Sequence, residues 1–244
     1  MIVEAGFESG IHAIDARRHE AAGAVRGAIV VAHPHPLHGG HMDHPVVVTT
    51  CERAARLGLV ALRFDFRGVR RSEGSTGDFL GHLDDWRRAV AVLREAVPAG
   101  PLLGAGFSYG ARSLAALLRP DRSRRPDVAG ALLIAPATRV PRSKRDFGNL
   151  LLGRPLNEAT VDAEALDNLR QVPVPARVIV GSGDVVAPED ELRRHLAPRA
   201  ELQVLPGLGH FFSKRPGAGP VAHEQLDPAL DEALRALLGS VSSA

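Results

Sequence analysis

The sequence predicts an α/β protein built on a mostly parallel, doubly wound sheet flanked by helices. Three observations lead to this prediction. The chain has 244 residues, of which 45% are hydrophobic and 24% charged, and these proportions are typical of a globular domain. Short apolar runs bounded by Gly and Pro recur along it, and stretches with helical spacing separate these runs. Alternation of strands and helices is typical of a parallel sheet that is covered on both faces.

Six apolar runs predict the strands, because continuous apolar runs of this length are typical of strands buried on both faces. They cover residues 28–32, 59–64, 102–107, 131–135, 177–180 and 202–205. The stretches with helical spacing cover residues 46–57, 82–96, 113–118 and 189–196.

The two ends of the chain add one element each. Residues 2–17 alternate loosely between apolar and polar side chains, which predicts an antiparallel hairpin at the sheet edge. Near the other end, Asp227 is a suitable N-cap and Pro228 suits a first helical turn, so we expect a last helix over residues 228–238 that ends at Gly239.

Residues 137–175 interrupt this alternation. They contain no obvious strand, a cluster of four basic residues between positions 139 and 145, and one short helical pattern over residues 161–169. A connection of this length is uncommon unless it has a function, so we expect a lid or a substrate-facing loop. The alternative is a solvated helical excursion without a role. We therefore expect a single domain over residues 1–244, with 137–175 as a cap insertion.

Composition excludes several classes of protein. The formal net charge is only +2, and the single Trp and single Tyr offer few platforms for base stacking, so we do not expect nucleic-acid binding. No apolar stretch reaches the roughly 18 residues of a membrane span, and residues 1–10 do not resemble a signal peptide. One cysteine, Cys51, cannot form an intramolecular disulfide. We expect a cytoplasmic protein, and no feature of the sequence specifies an oligomeric state.

A possible nucleophile lies in the segment Gly106-Phe-Ser-Tyr-Gly110, which matches the pattern G-x-S-x-G. It follows the predicted strand 102–107 and precedes a helical stretch. A sharp turn from strand to helix would expose the hydroxyl of Ser108 above the sheet, and the two glycines leave room for neighbouring backbones. A Gly-rich turn with a purely structural role is the alternative.

A serine hydroxyl needs a base, and that base needs an orienting carboxylate. Asp184 follows the predicted strand 177–180 after a short Gly-containing turn, and His210 follows the strand 202–205 in a similar way. The carboxyl ends of parallel strands share one edge of a sheet, so Ser108, Asp184 and His210 can converge there. Singly, Asp184 could cap a helix that begins near Pro188, and His210 could be an ordinary loop histidine.

These segments resemble the α/β-hydrolase superfamily, and in particular a small, dienelactone-hydrolase-like bacterial branch. The resemblance rests on His33-Pro-His-Pro-Leu-His-Gly-Gly40, Arg63-Phe-Asp-Phe-Arg-Gly68 with Ser72-Glu-Gly74, the Gly106–Gly110 turn and Gly207-Leu-Gly-His-Phe-Phe212. It covers nearly the whole chain and implies the α/β-hydrolase fold with the chain order Ser, Asp, His. Dienelactone hydrolases use a cysteine nucleophile, whereas this chain has a serine.

The resemblance also implies an oxyanion hole, with backbone N–H donors from Tyr109 and from the turn after the first predicted strand. In that turn Pro34 and Pro36 have no N–H group, and His35 matches the family position best. Arg70 stands where relatives often have a second glycine, so the resemblance does not determine the fine shape of that loop.

Five histidines, His33, His35, His38, His41 and His44, suggest a second mechanism. Their H-x-H-x-x-H spacing is similar to the metal-binding turn of the metallo-β-lactamase fold, which favours a zinc hydrolase. Leu37 stands where that family has an aspartate, and no downstream cluster completes a two-metal site. Alternatively, His38, His41 and His44 mark one face of a helix start. A third hypothesis is a non-catalytic α/β-hydrolase-fold protein that binds a ligand.

The sequence therefore favours a serine hydrolase with Ser108 as nucleophile, His210 as general base and Asp184 as its orienting acid. Tyr109 and His35 are expected to bind the oxyanion. The mechanism needs no cofactor and no metal, and the expected partner is a small-molecule acyl substrate. A carboxylic ester is the favoured substrate class, and a peptidase or thioesterase with the same triad is the alternative.

Overall fold

An eight-stranded sheet forms the centre of the protein in the computed structural model, which describes residues 1–120, 125–141, 143–151, 154, 156, 159–214 and 221–242. In chain order the strands are β1 (Ile2–Glu4), β2 (Phe7–Ser9), β3 (His12–Ile14), β4 (Ala16–His19), β5 (Gly27–Ala32), β6 (Leu59–Phe64), β7 (Leu102–Phe107), β8 (Gly130–Ile134), β9 (Arg139–Pro141), β10 (Ala159–Val161), β11 (Ala176–Gly181) and β12 (Ala200–Leu205).

Seven α-helices accompany these strands within the described ranges. They are α1 (Pro45–Arg56), α2 (Phe79–Ala96), α3 (Tyr109–Leu117), α4 (Lys144–Leu151), α5 (Ala163–Arg170), α6 (Glu189–His195) and α7 (His223–Ser242). A short 3₁₀ helix, Pro36–His38, lies between β5 and α1. None of the described helices is both long enough and apolar enough to cross a membrane.

The strand order β1-β4-β6-β5-β7-β8-β11-β12 confirms the predicted mostly parallel sheet. The six strands from β6 to β12 in this order pair in parallel, and β4 and β1 add an antiparallel edge. The N-terminal segment therefore reaches the sheet edge as expected, although β2 and β3 form a separate small hairpin.

Helices cover both faces of the sheet, because alternate residues of each parallel strand point to opposite sides. In β5, Ala28, Val30 and Ala32 belong to a core shared with α2 and α3. Ile29 and Val31 belong to a second core that includes α1 and α7. All six residues of β5 are buried, so this strand needs helices on both faces of the sheet.

Helices α3 and α7 begin four or more residues earlier than predicted. Helix α3 starts at Tyr109 and not at residue 113, because the turn at Ser108 leads into the helix without a linker. Helix α7 starts at His223, so Asp227 is not its N-cap and Pro228 lies inside it. Leu226 on one side of Pro228 and Leu230 on the other are fully buried, and this packing outweighs the hydrogen bond that the proline removes.

The predicted insertion lies partly outside the described residues, which lack 142, 152–153, 155 and 157–158. The expectation of no strand there was wrong, since β9 and β10 form an antiparallel ribbon. These strands are three residues long and lack an extended apolar run, so their sequence signal is weak. The expected helix over 161–169 corresponds to α5. The start of the insertion contacts the segment after β11, because the backbone N–H groups of Thr138 and Arg139 donate to Val186 O at 3.1 and 3.0 Å.

Candidate active site

Ser108 occupies a strained turn between β7 and α3. Its backbone has φ 56° and ψ −111°, a conformation that costs an L-residue free energy and persists only where the surroundings enforce it. A Cβ atom on Gly106 would collide with the backbone of Gly110, and one on Gly110 would lie 2.5 Å from Ala32 O. Both positions of the predicted motif therefore require glycine.

Three side chains that are distant in the sequence form one hydrogen-bonded chain. His210 Nε2 lies 2.9 Å from Ser108 Oγ, and His210 Nδ1 lies 2.8 Å from Asp184 Oδ2. All three residues are buried, with 5–7% of their surface exposed. Because the Asp184 carboxylate accepts the proton of Nδ1, it leaves the lone pair of Nε2 directed at the serine hydroxyl. The structure thus brings together the residues expected to form the triad.

Backbone contacts hold Asp184 in place. Its Oδ1 accepts hydrogen bonds from the N–H groups of Val186 at 2.8 Å and Ala187 at 2.9 Å, while Oδ2 contacts His210. The carboxylate therefore caps a local turn and not helix α6, whose N-cap is Pro188 without a side-chain hydrogen bond. The turn after β11 also packs closely on the His210 loop, since a Cβ on Gly181 would collide with the backbone of Leu208.

Two backbone N–H groups are suited to bind an oxyanion near Ser108. Tyr109 is the first residue of α3, so its N–H has no acceptor within the helix. In the turn after β5, the N–H of Leu37 is already used, because it donates to His35 Nδ1 at 3.2 Å. The His35 N–H has no hydrogen-bond acceptor in the described part of the chain. His35 also lies beside Tyr109, with ring centroids 4.6 Å apart.

The remaining histidines of residues 33–44 stabilise turns. Nδ1 of His41 accepts from the N–H of Asp43 at 3.2 Å, and Nδ1 of His44 accepts from that of Val46 at 3.3 Å. His44 is the N-cap of α1, while His38 ends the 3₁₀ helix, so these residues do not mark one face of a single helix. Burial lowers the pKa of both His35 and His44 to about 4, which keeps these rings neutral.

This geometry does not favour the zinc hypothesis. Both ring nitrogens of His33 are engaged, Nδ1 with Pro34 O at 2.6 Å and Nε2 with the N–H of Phe66 at 3.1 Å. Among the residues that the structure describes, no three His, Cys, Asp or Glu side chains are grouped in a way that could hold a metal ion.

His82 is a residue of this region that sequence reasoning missed. It lies on α2, is 1% exposed, and its Nδ1 is 2.6 Å from Tyr109 Oη. The Tyr109 ring is thereby held among His82, Phe66 and Phe79. In the sequence, the only signal for His82 is its position on the buried face of α2, one turn before Trp86. A residue at such a position is equally typical of the core.

Arg70, which replaces an expected glycine, keeps the left-handed conformation for which glycine is suited, with φ 48°. Its guanidinium contacts two carboxylates, those of Asp65 and Asp43. Asp43 also pairs with Arg63, which donates to the carbonyl of Met42 at 3.0 Å. The loop therefore retains the shape for which glycine is suited, and the arginine ties it to the histidine-rich segment.

A curated relative matches this chain at the level of sequence. It is an uncharacterized protein of Rickettsia prowazekii (strain Madrid E), 26% identical over 210 residues, which cover 82% of this chain and 77% of the relative.

Solved structures with the same fold include several α/β hydrolases. An alpha-beta serine hydrolase homologue from Coxiella burnetii is 21% identical with a TM-score of 0.70, and covers 98% of this chain and 97% of its own. A serine hydrolase without lid from Xanthomonas campestris is 23% identical with a TM-score of 0.69 over 96% and 94% of the two chains. Est1E from Butyrivibrio proteoclasticus, bound to ferulic acid, is 14% identical with a TM-score of 0.68 over 98% and 100%. At these identities the likeness shows the α/β-hydrolase fold.

Family membership follows from the sequence itself. The family described as serine aminopeptidase, S33, matches residues 23–161, a span that begins before β5 and includes the Ser108 turn. This span is more than half of the chain. The protein therefore belongs to the serine aminopeptidase, S33, family of α/β serine hydrolases.

Proposed function

We propose that this protein is a serine hydrolase that cleaves a carboxylic ester through a triad of Ser108, His210 and Asp184. The observation that carries this proposal is the continuous hydrogen-bonded chain from Ser108 Oγ through His210 to Asp184, with contacts of 2.9 and 2.8 Å. A buried serine, imidazole and carboxylate in this order have the donor and acceptor roles that nucleophilic acyl transfer requires.

In the first half of the reaction, Ser108 Oγ attacks the acyl carbon while His210 Nε2 takes the hydroxyl proton. Asp184 then faces the positive imidazolium and stabilises it. Collapse of the tetrahedral intermediate breaks the bond to the leaving alcohol, which receives the proton from Nε2. In the second half, His210 removes a proton from water, the hydroxide attacks the acyl-enzyme, and Ser108 regains its proton as the acid leaves.

The negative oxygen of each tetrahedral intermediate would be bound by the N–H groups of Tyr109 and His35. Tyr109 lies at the N-terminus of α3, where the helix dipole also favours negative charge. The His35 N–H lies in the turn that packs beside Tyr109. This arrangement uses backbone groups only, so it carries no preference for one acyl chain over another.

The preference for an ester is supported by a neighbour in fold. A Pyrococcus furiosus esterase has the same fold, with 16% identity and a TM-score of 0.68. The family description names an aminopeptidase, so a peptidase with the same triad is the second candidate, and thioester hydrolysis uses the same chemistry.

We also propose that the described residues of the segment 137–175 cover the substrate site as a cap of the single domain. The Ala137 N–H lies 3.4 Å from Ser108 O, so the segment begins beside the nucleophile. Farther along, Asp162 pairs with Arg112 at 2.5 Å, and Arg112 follows Ser108 by one turn of α3. Asp162 also caps α5 through the Ala165 N–H. The insertion is thus tied to the helix that carries the nucleophile.

The test of this proposal compares hydrolysis of 4-nitrophenyl butyrate by the wild-type protein and by Ser108→Ala. Loss of a triad member leaves only binding and oxyanion stabilisation, so we expect kcat to fall by roughly 10⁴-fold or more. A variant that keeps more than about a tenth of the wild-type rate, equivalent to ~1.4 kcal/mol of barrier, would mean that Ser108 is not the nucleophile.

Reaction with a fluorophosphonate separates the enzyme from a non-catalytic binding protein of the same fold. We expect one phosphonyl group on Ser108 of the wild-type protein and none on Ser108→Ala. Competition between the ester, a 4-nitroanilide and a thioester of the same acyl group then ranks the substrate classes by kcat/KM. A higher kcat/KM for the anilide would favour the peptidase candidate.

A further inference from the structure

The turn after β5, which contains the proposed oxyanion donor His35, contacts a buried side chain that has no role in the proposed reaction. His33 directly follows β5 and is completely buried. Its two ring nitrogens contact backbone groups in different segments, Nδ1 with Pro34 O at 2.6 Å and Nε2 with Phe66 N at 3.1 Å. The Phe66 ring packs edge-on against the imidazole, with centroids 4.8 Å apart.

These two contacts determine where the proton of the imidazole lies. The Phe66 N–H can only donate, so Nε2 must accept, and the Pro34 carbonyl can only accept, so Nδ1 must donate. A neutral ring with its proton on Nδ1 satisfies both contacts. Burial lowers the pKa of His33 to about 3, which agrees with a neutral ring at physiological pH.

The orientation of the Pro34 carbonyl controls the neighbouring N–H. Pro34 C=O and His35 N–H belong to the same planar trans peptide, in which the two bonds point in opposite directions. Holding the carbonyl toward the buried His33 therefore turns the His35 N–H away from the core. The Pro34 carbonyl also lies close to the Gly40 backbone, because a Cβ on Gly40 would be only 2.1 Å from Pro34 O.

We propose that His33 is a positioning residue that orients the Pro34–His35 peptide so that the His35 N–H points at the oxyanion. This inference rests on the proposed function, in which His35 is an oxyanion donor. His33 itself touches neither substrate nor Ser108 in this scheme. Its contribution is to keep the donor oriented before the charge develops, when reorientation would otherwise raise the barrier.

Two substitutions separate the two hydrogen bonds of His33. In His33→Asn an amide N–H can replace Nδ1–H toward Pro34 O, but nothing reaches Phe66. In His33→Gln the longer side chain can replace Nε2 toward the Phe66 N–H, but the donor to Pro34 O is lost. Each variant leaves one buried group unsatisfied, so the two should lose similar amounts of stability.

The proposal expects different effects on catalysis. For 4-nitrophenyl butyrate, kcat of His33→Gln should fall on the order of 10- to 100-fold, somewhat less than the loss of a whole oxyanion donor, while KM stays within about threefold. His33→Asn should keep a clearly higher kcat than His33→Gln. The affinity of an alkyl boronic acid, whose adduct on Ser108 carries a negative oxygen, should fall with kcat. Equal kcat in both variants, or losses that follow the urea midpoints alone, would overturn the proposal.

A measurement on the unmodified protein keeps the test independent of how the variants fold. Long-range ¹H–¹⁵N correlation spectra at pH 7 report which ring nitrogen of each histidine is protonated, and His33 should carry its proton on Nδ1. A proton on Nε2 would disprove the contact with Pro34 O and with it the inference. This result does not depend on catalysis, so it stays distinguishable from a failure of the Ser108 test.

Discussion

Arg70 has a left-handed backbone, and its Nε lies 2.7 Å from a carboxylate oxygen of the fully buried Asp65. The backbone conformation costs an L-residue about 1 kcal/mol or more relative to glycine. Burial raises the pKa of Asp65, while Arg70 and the Met42 N–H favour its charged form. The ion pair therefore offsets a strained backbone at the position where a glycine was expected.

We predict that Arg70→Gly and Arg70→Ala both lower the free energy of unfolding, by ~1–3 kcal/mol, because each leaves the buried Asp65 carboxylate without its charged partner. Arg70→Gly should be the more stable of the two by about 1 kcal/mol, since it alone relieves the backbone strain. Urea unfolding at neutral pH measures both differences. An Arg70→Gly protein as stable as the wild type would show that the ion pair contributes nothing.

The oxyanion role of His35 can be tested by deleting only its backbone N–H group. His35 has φ −59°, a value that proline adopts without strain, so His35→Pro removes the N–H while the backbone can keep its shape. We expect kcat to fall roughly 10²- to 10³-fold relative to His35→Ala, which lacks the imidazole but keeps the N–H. Activity toward 4-nitrophenyl butyrate gives the comparison. Similar kcat values in the two variants would assign the donor to another group.

The serine and zinc mechanisms make opposite predictions for His38 and His210. Activity should survive dialysis against a strong chelator, and His38→Ala should lower kcat far less than His210→Ala, because only His210 contacts Ser108 Oγ. The comparison uses saturating substrate, so that changes in substrate binding do not enter. Inactivation by chelator that zinc reverses, together with an active Ser108→Ala, would replace the serine mechanism with a metal one.

Acid should destabilise the protein through its buried histidines. The pKa of His33 falls to about 3 and that of His19 to about 4, both chiefly through burial. An unfolded histidine binds a proton below pH ~6.5, whereas these two stay neutral in the folded protein. The contribution of these two histidines to the free energy of unfolding is therefore complete above pH ~6.5. It declines as the pH falls toward 4, by about 1.4 kcal/mol per pH unit for each histidine.

The measurement is urea unfolding between pH 7 and pH 5, where most carboxylates remain charged. In His19→Gln the slope of the unfolding free energy against pH should decrease by about 1.4 kcal/mol per pH unit, which corresponds to the uptake of one proton fewer on unfolding. Glutamine can still accept the hydrogen bond that Arg63 Nε donates to His19 at 2.9 Å, so packing is largely kept. A slope that is unchanged in this variant would mean that His19 is protonated in the folded state.

The sequence by itself determined the architecture of the sheet and the identity of the candidate triad. Strands β6 and β7 have the predicted bounds, because short, largely apolar runs between turn residues are typical of buried strands and too short for a buried helix. Ser108, Asp184 and His210 were indicated by their positions after successive strands, since parallel strands place such residues at one edge.

Only the tertiary structure decided the details that depend on packing between distant segments. The start of α7 at His223 and the ribbon of β9 and β10 follow from contacts that no local pattern records. The same holds for the proposed donor at His35. The sequence excludes Pro34 and Pro36, but the hydrogen bond from the Phe66 N–H to His33 Nε2 joins the turn to a segment that is distant in the sequence. Local spacing selects the elements, whereas the orientation of a single peptide is set by hydrogen bonds between elements.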